Sequence, residues 1–166
     1  MKWIKFTALF FSAAAFTLLD TSFFANLSVG HATVISTFQL IIIFALISDT
    51  KNYFIFMTST IIFFSIFSSL PMWVIFSLFF LLPSIILYLR KVHLPLPSVP
   101  VALILFAIAN LFFESILLFY AREWNRSGFS VLCYFIIINT IFGTVSYYIV
   151  HLFLSFRANR GKINNF

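Results

Sequence analysis

Six apolar stretches separated by short gaps leave this chain few ways to fold outside a lipid bilayer. A helix that crosses about 30 Å of hydrocarbon at about 1.5 Å per residue needs about 20 mostly apolar residues. Runs of that order cover approximately Phe6–Phe24, Ala32–Ser48, Tyr53–Ser68, Met72–Leu89, Val99–Ala121 and Phe129–Phe156. Only Ser69, Leu70 and Pro71 separate the third from the fourth, and the last is long enough to emerge from the membrane. A soluble fold would have to hide a composition that is 63% hydrophobic, including 26 Phe, within one modest core; a chain of this length buries too little surface to do so. The expected fold is an all-α integral membrane protein, a bundle of six transmembrane helices forming a single domain over residues 1–166.

The charges orient that bundle. Lys and Arg are disfavoured on translocated loops. Lys2, Lys5, Lys51, Arg90, Lys91, Arg157, Arg160 and Lys162 fall at one end of the six spans, and only Arg122 and Arg126 fall at the other. Both termini are therefore expected in the cytoplasm, in a multi-pass protein of the cell inner membrane, with lipid as the constant partner. The formal charge of +6 does not call for nucleic acid, because helix-end cations are accounted for by orientation and anionic headgroups. Cys133 is the sole cysteine and lies within the sixth span, so no intrachain disulfide forms. Lys2, Lys5 and Ala13-Ala14-Ala15 resemble a signal peptide with a cleavage site, but the apolar run before them is short and its removal would leave an odd number of spans. We read the segment as an uncleaved first helix, whose Ala8 and Ser12 suggest a face open to close helix approach.

Proline patterns the connections. Pro95, Pro97 and Pro100 make the inner segment Arg90–Ser98 a stiff, extended connector. Pro83, inside the fourth span, removes the hydrogen bond to the Phe79 carbonyl and predicts a kink.

Among the polar residues Glu114 stands out, about seven residues from the outer end of the fifth span and so about 10 Å below the interface. An acid near a helix centre costs about 2.5–3.5 kcal/mol on insertion, so it must face the interior, take a proton or find a partner. Ala107, Asn110, Glu114, Leu117 and Ala121 form a small and polar stripe at helical spacing, and Asn139, Gly143 and Ser146 form another on the sixth span. The two are expected to face each other, making Glu114, Asn110 and Asn139 the candidate interior polar site. Glu114 there is either a proton or substrate site or a hydrogen-bonded carboxyl that fixes packing, and the lack of a second intramembrane acid or base at its depth favours packing. Asp20 ends the first span near the outer interface and is expected to cap a loop while hydrated. Asp49, Lys51, Arg122, Glu123 and Arg126 read as solvated or headgroup-facing charges. His31, His93 and His151 fall in different places, so no metal site is expected. No phosphate-binding glycine loop, CxxC pair, HExxH helix or nucleophile elbow is present, and the expected protein is non-enzymatic and without cofactor.

The junction IIFFSIFSSLPMW, Ile61 to Trp73, resembles the segment of the rod shape-determining protein MreD family in which a helix ends in an Asp-x-x-Ser-x-x-Pro-like turn. LLDTSFF, Leu18 to Phe24, is similar to that family's first-helix ending. Ser65, Ser68, Ser69 and Pro71 are the matching turn positions; Ile61 and Ser65 stand where the family usually has Gly and Asp, and Trp73 where a Gly is usual. The resemblance implies a non-enzymatic membrane scaffold of the bacterial cell-elongation machinery, which builds peptidoglycan side wall, with an MreC-like protein and the cell-wall synthase complex as partners. In fold that family also resembles the six-helix substrate-binding subunits of energy-coupling-factor transporters. The alternative is thus a small-solute or vitamin-binding subunit, in which Glu114 and Asn139 would line an outward-facing pocket and the Ala8, Ser12 and Ala15 region would meet a transport partner.

Overall fold

The computed structural model describes residues 2–23, 28–29, 32–93, 97–122 and 126–163; of residues 2, 28, 29, 32, 93, 126, 127 and 157–163 it describes the backbone alone. His31, Pro95 and Glu123 lie outside the described residues, and the side chains of Lys2, His93, Arg126, Arg157, Arg160 and Lys162 lie outside the described side chains.

The described residues form six helical rods. Helix α1 (Lys2–Leu18) runs into a π-helical turn, Leu19–Phe23. A minimal antiparallel hairpin follows, with β1 (Ser28–Val29) paired to β2 (Ala32–Thr33). Then come α2 (Ser36–Ile47) and α3 (Thr50–Phe67). The fourth rod is composite: α4 (Met72–Phe76), a π-helical turn (Ser77–Leu81) and α5 (Leu82–His93). Helices α6 (Val99–Ala121) and α7 (Arg126–Ile163) complete the chain. Among the described residues four helical segments are long and apolar enough to cross a membrane: Trp3–Phe23, Met72–Val92, Val99–Ala121 and Gly128–Phe156. This is a multi-pass membrane protein by the length and composition of those helices.

Three expectations need correction. The second span was expected over Ala32–Ser48, but its helix has only 12 residues, about 18 Å at helical rise, because Ala32 and Thr33 are spent in the hairpin. The connector expected from Arg90 starts later, since α5 continues through His93; nothing before Pro95 forbids helix. Pro100 then sits in the first turn of α6, where its missing donor costs nothing. Finally, the close-approach face of α1 carries Ala13 and Thr17, both fully buried, whereas Ala8 is exposed. Pro83 does sit beside an irregularity: the π turn ends two residues before it, and a proline's lost donor is one of the few causes of such breaks.

Short α2 is the centre of the bundle, in contact with α1, α3, α5 and α7. A helix touched on all sides must be apolar all round, and the run IIIFALI, Ile41 to Ile47, meets that demand. Around it five rings from different elements meet. Phe38 on α2 lies 4.4 Å from Phe113 on α6 and 6.1 Å from Phe79 in the π turn; Phe79 lies 4.5 Å from Phe64 on α3, and Phe113 stacks on Phe135 of α7 at 5.7 Å. Because lipid is as apolar as these side chains, what holds such rings together is dense packing and edge-to-face geometry.

Gly143 lets α7 approach this centre. A Cβ at that position would lie 2.6 Å from Gln39 Oε1 and 2.7 Å from the Phe106 ring. Gly143→Ala is therefore expected to destabilise the protein by about 1–3 kcal/mol through overpacking, read as a lowered unfolding midpoint in detergent; an unchanged midpoint would show that Phe106 can swing aside.

Candidate functional site

Both ends of α2 are held by charged side chains from other helices. At its N-terminus the first backbone N–H groups have no intrahelical acceptor. Asp20, in the π turn that ends α1, supplies one. Ser36 donates its backbone N–H at 2.9 Å and its hydroxyl at 2.6 Å to Asp20 Oδ1, and the Thr37 N–H donates at 2.8 Å to Oδ2. At the C-terminus Arg90 of α5 donates to the last free carbonyls, to Ala45 at 3.1 Å, Ser48 at 2.6 Å and Ile47 at 3.4 Å. A carboxylate at the positive end of the helix dipole and a guanidinium at the negative end are each on the favourable side. Asp20 was expected to cap a loop while hydrated; it caps the start of helix α2 instead and is buried, at 8% exposure. Arg90, expected only to orient the chain, is a capping group as well.

Next to the N-terminal cap lies a closed amide cluster. Asn139 on α7 accepts from the Ile35 N–H at 2.9 Å and donates to the Thr33 carbonyl at 2.9 Å and the Phe135 carbonyl at 3.2 Å. It thereby holds the chain entering α2 with both faces of its amide. Gln39 donates to Asn110 Oδ1 at 2.7 Å and more weakly to Asn139 Oδ1 at 3.4 Å; Asn110 in turn donates to the Thr140 hydroxyl at 3.2 Å. Gln39, Asn110 and Asn139 are fully buried, where an unpaired amide would be costly. Gln39 Oε1, against Gly143, is the one amide atom of the three left without a partner.

The two expected stripes do meet at Asn110, Asn139 and Gly143, though through Gln39, which the sequence reading passed over. Its signal was present: one amide in a long apolar run. Glu114 is buried at 7% exposure on the face of Asn110, yet no hydrogen bond or ion pair joins it to any described residue. Ala121, at the end of that stripe, is exposed. At the turn before α4, Ser65 donates to the Ile61 carbonyl and contacts Met72 Sδ at 3.0 Å, while Ser68 Oγ accepts from the Leu70 N–H at 3.1 Å. Pro71 is the N-cap of α4, and Ser69 is exposed. These serines shape a local turn and stand apart from the amide cluster. Among the described residues no three His, Cys, Asp or Glu are grouped to hold a metal.

Comparison with protein-family models, with curated proteins and with solved structures finds no match to this chain.

Removing the carboxylate of Asp20 would strand two buried N–H groups and a hydroxyl. Asp20→Ala is expected to cost about 2–4 kcal/mol, measured as a loss of folded protein in a detergent titration. Asp20→Asn keeps one acceptor oxygen and should cost less; equal loss in both would mean that shape, not hydrogen bonding, sets the value.

Proposed function

We propose that this protein is a non-enzymatic membrane scaffold, with the resemblance to the MreD family placing it in the bacterial cell-elongation machinery beside an MreC-like protein and cell-wall synthases. In this reading α2 and α3 complete six passes with both termini in the cytoplasm. Lys5 at the start of α1, Lys51 at the start of α3 and Lys91 at the end of α5 are all exposed and share one end of the bundle, consistent with the positive-inside rule.

The observation that carries the scaffold reading is how the interior amides are used. Gln39, Asn110 and Asn139 bond to one another, to Thr140 and to the chain entering α2. A solute-binding subunit would need such groups turned toward a ligand. Meanwhile α7 presents a bulky outer ridge in which Ile137, Ile141, Val145 and Tyr148 are about half exposed or more. In a bilayer such a ridge meets either lipid or a partner helix through van der Waals contact.

Cross-linking in native membranes followed by purification of the tagged chain is expected to recover an MreC-like protein, and depletion is expected to round rod-shaped cells. A vitamin-like molecule retained through purification would overturn the reading in favour of the transporter alternative. Replacing Ile137, Ile141 and Tyr148 together with Ala should weaken partner capture about tenfold, or about 1.4 kcal/mol, without lowering the unfolding midpoint. Glu114→Gln should leave capture unchanged.

A further inference from the structure

Arg122 sits where the rest of the charge pattern disfavours it. It ends α6 at the end of the bundle opposite Lys5, Lys51 and Lys91. Its backbone is left-handed, with φ 58° and ψ 31°, and it is the one non-glycine residue with positive φ among the described residues. Gly or Asn takes that helix-ending conformation at less cost. A long cationic side chain therefore stands here against both topological and backbone preference, and no described residue pairs with it.

The described residues grouped with Arg122 are aromatic. It lines a recess of about 490 Å³ together with Trp73, Phe119 and Tyr120. Trp73 comes from the first turn of α4 and packs edge to face on Tyr120, with centroids 6.0 Å apart and planes at 74°. Among the described residues the recess thus combines one guanidinium with three rings, at the level where a helix ends and amphipathic rings sit in the headgroup layer. Its ligand should carry a single anionic group on an apolar body.

We propose that this recess binds the phosphate-bearing headgroup of an anionic phospholipid in the outer leaflet. The fork of Arg122 N–H donors matches phosphate oxygens. The Trp73 and Tyr120 rings lie against the glycerol and upper acyl region, each with a polar tip able to donate toward the headgroup. A free anion would gain the guanidinium but nothing from the ring surface. This inference takes its outer-leaflet placement from the orientation in that reading but goes beyond the scaffold role, and its readout involves no partner capture, so the failure of either is recognisable by itself.

The test is native mass spectrometry of the full chain released from nanodiscs of phosphatidylcholine containing a minor share of phosphatidylglycerol. The wild-type protein is expected to retain phosphatidylglycerol several-fold above its share. Arg122→Gly suits the left-handed backbone, so it should fold with an unchanged or higher unfolding midpoint and lose the part of that excess due to this site; Arg122→Lys should keep an intermediate amount. Cations at the other end of the bundle are common to all three and cancel in the comparison. Equal phosphatidylglycerol retention by wild type and Arg122→Gly would overturn the proposal. So would displacement of the retained lipid by soluble glycerol phosphate, which would make the site one for free phosphate esters.

Discussion

The clamp on α2 is the interaction on which the remaining architecture rests. A helix of 12 residues is too short to carry both of its ends to water across a bilayer, so its unpaired N–H and C=O groups must be met inside the protein. Asp20 and Arg90 meet them, one reaching from the end of α1 and the other from the end of α5. Each charge would be expensive alone in an apolar interior. Bonded to a helix end of opposite partial charge, each becomes the means by which α1 and α5 are placed against α2.

Once α2 is held, the other helices have a common surface to pack on. Apolar side chains gain little by leaving lipid for one another, so shape and hydrogen bonding decide the arrangement. Shape comes from the ring cluster of Phe38, Phe64, Phe79, Phe113 and Phe135 and from the missing side chain at Gly143. Hydrogen bonding comes from Gln39, Asn110 and Asn139, which tie α2, α6 and α7 at one level. The Asn139 amide also holds the extended segment before α2, so the cap and the cluster form one continuous polar seam. A protein built this way spends its interior polarity on its own shape and presents apolar ridges outward.

Much of this seam was legible in part. Asn110, Glu114, Asn139 and Gly143 stand out because polar and small residues are rare in such helices, and helical spacing groups them on two faces. Asp20 was readable as a loop cap from its place at a span's end. Its burial at the start of α2 was not, because that depends on how far the following hairpin folds back. Arg90 is indistinguishable in sequence from Lys91 beside it; one donates to α2 while the other is exposed, a difference set by which face of α5 meets α2.

The sequence by itself determined the class of molecule: long apolar helices, few charges and a positive end, all consequences of solvation in a bilayer that act residue by residue. Local chemistry also set the Ser68–Pro71 turn and the start of α6 at Val99, just before Pro100. Tertiary structure alone decided that the second apolar run is a short central helix, that two of the scarce charges cap it, and that Gln39 joins the two polar faces. The physical reason is that hydropathy measures what a segment tolerates as surroundings, whereas the partners of an unpaired backbone group come from segments far away in the chain and are settled only when the bundle closes.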